Sequence, residues 1–369
     1  MTRLHGRLYT QSQPTRGTPH DLDLGHCPPD FTRLPDVASR ALGASVLAAN
    51  DDFFADAHNL ISPEPPRHDL GAFGHRGKVY DGWETRRRRT PGADHVIVRL
   101  AVPAIVRGVN IDTSFFTGNY PPAATIEATT LLGYPSAAEV AAADWAAVAP
   151  RADLAGDTTN YVSAVDADQI ATHVRLTIYP DGGVARLRVY GEIAPDPRFL
   201  GGRTDLAALT AGALVHDCSN MFYSSPANAL SPGRAQVTAD GWETARRRDD
   251  GHDWMIVRLA APGELHEAVI DTSRFLGNAP GWAALSDAET GATLLPRTRL
   301  LPDTAHRLRL APADAARLVR LDIYPDGGIA RLRVRGTVPA SARPGIAERW
   351  LGMLAPALAA SVDPAEFFT

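Results

Sequence analysis

From Arg175 to Val189 apolar and polar positions alternate with a period of two. Leu176 and Ile178 share one face, and Arg175, Thr177 and Tyr179 share the other. Beyond Pro180-Asp181-Gly182-Gly183, Arg186 and Arg188 alternate with Ala185, Leu187 and Val189. A period of two on both sides of such a turn predicts a β-hairpin. The runs VIVRL (96–100) and MIVRL (255–259) are almost continuously apolar and suit strands inside a sandwich core. Helical spacing is scarcer. Short helices are expected at 36–45 and 205–214, and a C-terminal one where Trp350, Leu351, Leu354 and Leu358 recur. The alanine-rich stretch 136–149 reads as a helix or an irregular insertion. Many short strands between turn signals predict an all-β fold of sandwich or barrel type, with a jelly roll preferred.

The pattern occurs twice. DGWETRRRR (81–89) returns as DGWETARRR (240–248), and IDTSFFTGN (111–119) as IDTSRFLGN (270–278). These segments and the VIVRL strand share one offset. RLTIYPDGGVARLRV (175–189) returns as RLDIYPDGGIARLRV (320–334) after a shorter connection, and NDDFFADAHNL (50–60) corresponds to SNMFYSSPANA (219–229). A period this long means two homologous domains, not a solenoid. The expected organisation is an N-terminal arm (1–34), two tandem β-sandwich domains (35–195 and 196–341) and a helical tail (342–369).

Composition changes this picture little. The chain has 369 residues, 44% of them hydrophobic, enough for two cores. A formal charge of −5 argues against a chain-wide nucleic-acid footprint. There is no apolar run of membrane-spanning length and no secretory signal, so a cytoplasmic protein without a membrane partner is expected. Cys27 and Cys218 form neither a disulfide framework nor a metal-ligand pattern.

The repeated DGWET string is the first candidate for chemistry. Asp81 or Asp240 precedes a glycine that permits a tight backbone, and Trp83 or Trp242 is an apolar anchor. In an extended chain Glu84, Arg86 and Arg88 share a face opposite Trp83, Thr85 and Arg87. Two readings are open. One is a row of Glu–Arg pairs on an exposed strand edge, each worth little. The other is a cleft where arginine grips a carboxylate and glutamate moves a proton. Arg86 is replaced by Ala245, so one arginine is dispensable or the copies differ in role. The DTS segments add small polar groups after an apolar strand, with Asp112 and Asp271 as second carboxylates and Asn119 and Asn278 behind a glycine. They can equally be turn-capping groups. His252 lies near the second DGWET string. His58, His68 and His75 lack metal-site spacing, and there is no nucleophile elbow and no P-loop.

Taken together, DDFFADAHNLI, DGWETRRRR, HDWMIVRL, IDTSFFTGNYPP and DGGVARLRV resemble the allantoicase family, in the right order over about 36–340. The resemblance implies two jelly-roll repeats of galactose-binding-like type. It implies hydrolysis of a C–N bond in allantoate, giving ureidoglycolate and urea during use of allantoin as a nitrogen source. In copy one GADHV (92–96) stands where copy two has GHDWM (251–255), and copy two lacks the Tyr and Pro-Pro of copy one. Either one copy carries the site or the copies share it. For that substrate, Glu84 is expected as acid/base, Arg87 or Arg88 on the carboxylate, and Asp112 and Asn119 on a ureido group. Glu243, Arg246, Asp271, Asn278 and His252 form the matching set. No cofactor is singled out; a divalent metal and a homo-oligomer stay open. The competing readings are a non-catalytic ligand-binding jelly roll and an enzyme for a related ureido compound such as ureidoglycolate.

Overall fold

The computed structural model describes residues 28–69, 71–75, 77–165 and 168–369. Each repeat is organised by one 19-residue strand, Asp94–Asp112 in the first and Asp253–Asp271 in the second. The N-terminal half of Asp94–Asp112 pairs with Ser45–Ala49 and Ala171–Tyr179, and the latter continues to Ala123–Thr129 and Ala146–Asp153. Its C-terminal half pairs with Arg186–Ile193 and Thr159–Ser163. The second repeat repeats this plan, with Asp253–Asp271 shared between a sheet containing Leu214–Cys218 and Ala316–Tyr324 and one containing Arg331–Thr337 and Ala305–Arg309. The register breaks between Arg99 and Ala104 and between Arg258 and Gly263. Pro103 and Pro262 sit in those breaks and lack the N–H a continuous ladder requires. One strand therefore serves both layers of a jelly-roll sandwich.

The period-two faces lie as the sequence predicts: Leu176 and Ile178 are buried, and Arg175, Thr177 and Tyr179 are half-buried. The predicted hairpin is not formed. Ala171–Tyr179 and Arg186–Ile193 do not pair with each other; each pairs with a different half of the long strand. The Pro-Asp-Gly-Gly segment is an arch that carries the chain between layers, and Gly183–Val184 pairs instead with Trp83–Glu84. The helices expected at 36–45 and 205–214 shrink to single 3-10 turns, Arg40–Leu42 and Leu209–Ala211. Each stops at a left-handed glycine, Gly43 or Gly212, and a strand follows. Of 136–149 only Ala137–Ala141 is helical, held by a Ser136–Glu139 capping box. The rest enters the edge strand Ala146–Asp153, where backbone groups find a ladder.

Each repeat has its own core, around Trp83, Val98, Ile126 and Leu176 in the first and Trp242, Val257, Leu285 and Leu321 in the second. The tail forms helices Arg343–Gly352 and Pro356–Ala359. Trp350, Met353 and Leu354 pack with Ile105, Ile170 and Ala194, so the tail returns to the first repeat. Among the described residues, no helix is long and apolar enough to cross a membrane. Cys218 is a free thiol; Cys27 and most of the expected arm lie outside the described residues.

Candidate active site

Four segments converge at one end of each sandwich. In the first repeat they are the loop Asn50–Asp56, the Trp83–Glu84 strand, the loop Thr113–Pro121 and the Pro180–Val184 arch. Trp83 is fully buried, and its indole N–H donates to Asp51 O at 2.7 Å. Gly82 permits this docking, since a Cβ there would meet Val184 O at 2.7 Å. The Thr85 hydroxyl accepts from Gly182 N at 3.1 Å and so ties the strand to the arch. The arch in turn holds the next loop, because Gly183 N donates to Asn119 O at 2.7 Å. A Cβ on Gly183 would meet the Phe116 ring at 2.1 Å. Only glycine fits between the arch and that loop.

These contacts bring Glu84 and Asn119 together. The Asn119 Nδ2 donates to Glu84 Oε1 at 2.6 Å, and Asn278 donates to Glu243 Oε1 at 2.6 Å in the second repeat. The other oxygen of Glu84, Oε2, is buried and has no hydrogen-bond partner. Burial pushes the Glu84 carboxyl up, against the opposing hydrogen bond from Asn119. The loop Ser62–Asp81 is ten residues longer than Ser231–Asp240. From it Tyr80 stacks on Phe116 with centroids 5.5 Å apart, and His68 stacks on Phe115 at 5.2 Å.

The arginines behave differently from one another. Arg86 pairs with Asp51 at 2.7 Å, and Asp51 also accepts the amides of Phe53 and Arg86. Partial burial would raise the Asp51 carboxyl, but these amides and the guanidinium outweigh it and hold it low. In the second repeat Asn220 and Ala245 occupy the two positions, with Asn220 Oδ1 accepting the amides of Phe222 and Ala245. Both charges have gone together, which explains the Arg86/Ala245 difference. Arg86→Ala is therefore expected to destabilise the protein by about 1 kcal/mol or less, since the pair is largely exposed on the arginine side. Adding Asp51→Asn should restore stability, measured as a double-mutant cycle by chemical denaturation.

Arg88 is directed inward. Its guanidinium pairs with Asp94, and its amide donates to Asp181 Oδ2 at 2.8 Å. Arg247 reproduces this with Asp253 at 3.1 Å and Asp326 at 2.9 Å. Arg87 and Arg246 are exposed, with no hydrogen bond or ion pair among the described residues.

The remaining expected residues make their hydrogen bonds to other partners than the Glu–Asn pair. Asp112 and Asp271 close Asx turns, accepting Ser114 N and Ser273 N at 2.8 Å. Asp81 accepts Arg186 Nη2 and Arg67 N, each at 2.8 Å. Asp240 accepts the amides of Gln236 and Val237. His252 pairs with Asp322 at 2.9 Å and stacks on Tyr324. Sequence reasoning missed Asp51, Asp94, Asp181 and Arg247. The signal was available for Asp94 and Asp181, since the duplication keeps both, as Asp253 and Asp326. Among the described residues no three His, Cys, Asp or Glu side chains converge to hold a metal ion.

Both halves of the chain match one family model, the allantoicase repeat, at residues 35–194 and 204–339. A probable allantoicase of Nocardia farcinica is 55% identical over 316 residues, spanning 84% of this chain and 96% of that protein. One of Streptomyces coelicolor is 47% identical, spanning 84% and 86%. The solved allantoicase of Saccharomyces cerevisiae shares 33% identity with a TM-score of 0.71, covering 82% of this chain and 92% of that one. Agreement over both repeats, in sequence and in backbone, settles the classification: the chain belongs to the allantoicase family.

Proposed function

We propose that this hydrolase converts allantoate and water to ureidoglycolate and urea at the Glu84–Asn119 site of the first repeat. The observation that supports this most directly is the partnerless, buried Oε2 of Glu84 beside an oriented amide. A carboxyl raised by burial is better placed to give and take a proton than an ordinary, fully solvated one. In the proposed reaction the bond from the central carbon to one ureido nitrogen breaks. That nitrogen takes the Glu84 proton and leaves as urea. Water forms the new C–O bond and returns a proton to the carboxylate. Asn119 donates its N–H to Glu84, which leaves its Oδ1 to accept a ureido N–H. Among the described residues Arg87 forms no ion pair, and it suits the substrate carboxylate because its planar fork remains charged. Arg88 is committed to Asp94 and serves to hold the strand. Asp112 shapes the loop that bears Asn119.

The second repeat favours a binding role. The Glu243–Asn278 pair is present, and beside it Phe222 and Tyr223 form an edge-to-face pair that is 72% and 65% exposed, more open than the equivalent Phe53–Phe54 pair of the first repeat at 44% and 42%. Such a platform suits stacking on a planar ligand.

Urea release from allantoate by the purified chain, with ureidoglycolate as co-product, tests the reading. A chelator in parallel reactions decides the metal question. Saturable allantoate binding without urea would replace it with the binding-module reading. Turnover of ureidoglycolate alone would move the substrate one step along.

A further inference from the structure

Where the first repeat meets the second, a cavity of about 510 Å³ lies between Arg99–Pro103, Leu131–Tyr134 and the segment Thr204–Ala211. Its size is that of a small-molecule pocket. His173 lines it, is 1% exposed, and has an Nε2 that finds no hydrogen-bond partner. The other ring nitrogen is fixed: Thr172 Oγ1 accepts Leu131 N at 2.8 Å and lies 2.9 Å from Nδ1, nearer than Thr129 O at 3.3 Å, so the hydroxyl donates to Nδ1 and the neutral ring carries its proton on Nε2. Arg99 is the direct cross-strand partner of His173. Its Nε and Nη2 donate to Ser45 Oγ and Gly43 O, which leaves Nη1 free. Burial, and then the Arg99 charge, push the His173 imidazole down to about 4, so it is neutral at physiological pH.

The sister repeat makes this histidine informative. Leu318 stands opposite Arg258 where His173 stands opposite Arg99. Leucine satisfies the fold at that register position. A buried imidazole with one unpaired nitrogen costs stability without a partner. The other charged groups at the cavity are already engaged. Arg198 holds both oxygens of Asp196, and Asp205 accepts the amides of Ala207 and Val334 beside Arg333. Leu100, Leu131, Leu132 and Leu200 supply apolar wall.

We propose that this inter-repeat cavity binds a small monocarboxylate with a short apolar body, its carboxylate held by Arg99 and the free nitrogen of His173. One guanidinium and one neutral imidazole match a single negative charge. The apolar wall and the nearby aspartates disfavour a dianion.

The test titrates the full chain with butyrate, hexanoate, butyramide and sulfate by calorimetry. The expected result is saturable binding of both carboxylates and none of butyramide or sulfate. His173→Leu should weaken hexanoate binding about tenfold or more, the loss of one charge-assisted hydrogen bond. Without ligand that variant should melt no lower than the parent and release urea from allantoate at the parent rate. Arg99→Gln should weaken binding similarly. Absence of saturable carboxylate binding, equal binding by His173→Leu, or sulfate binding as tightly as hexanoate would each overturn the proposal.

Discussion

Glu84→Gln is expected to reduce allantoate turnover by about 10²- to 10⁴-fold, the usual contribution of a positioned acid/base group, while raising the melting temperature at neutral pH. Glutamine keeps the shape and can still accept from Asn119, so the loop stays in place. It removes the buried charge. The folded-state carboxyl is raised by burial, so ionised Glu84 destabilises the native state. That penalty is absent below the ordinary carboxyl value and grows as pH rises through the raised value. The thermal gain of Glu84→Gln should therefore be larger at pH 7 than at lower pH and vanish below about pH 4. Steady-state kinetics and melting curves at the two pH values check both parts. Glu243→Gln, in the repeat assigned to binding, should leave kcat near the parent value and act mainly on KM. A kcat loss at Glu243 equal to that at Glu84 would make the two repeats catalytic equals. Unchanged turnover in Glu84→Gln would remove Glu84 from the chemistry.

The second large effect is on stability. Arg88→Leu should cost about 3–5 kcal/mol, because it strands the Asp94 carboxylate without its cation. The Asp94 side chain is 2% exposed, and Asn50 Nδ2 at 3.1 Å is its remaining side-chain donor. Denaturant unfolding measures the loss. Arg88→Leu combined with Asp94→Asn should recover most of it, since the charge is removed together with its partner. Arg247→Leu should behave the same way, because Asp253 is fully buried and is likewise left with one side-chain donor, Ser219. If Arg88→Leu cost no more than an exposed ion pair, Arg88 would be available to the substrate carboxylate and its assignment would merge with that of Arg87.

Much of this molecule was legible in the linear chain, for local reasons. The duplication, the alternation that buries Leu176 and Ile178, and the tryptophan anchors follow from residue periodicity and size, which neighbours along the chain already express. The pairing of Glu84 with Asn119 was also within reach. The duplication keeps both at one offset, and a contact preserved in two copies preserves its spacing. What the tertiary structure alone decided was which backbone pairs with which, and which charges lose water. The Pro-Asp-Gly-Gly segment has the alternation of a hairpin. It became an arch because the bend at Pro103 offers each flanking strand a different half of one long partner. Arg86, Arg87 and Arg88 are the same residue type in succession. One meets Asp51, 35 residues back, one meets Asp94, six residues on, and one remains free, because folding brought carboxylates to two of them only. Glu84 and Glu243 sit in nearly identical strings, yet the Glu84–Asn119 hydrogen bond is partly buried and the Glu243–Asn278 one is exposed. Desolvation depends on everything packed around a group, and no short window of sequence contains that.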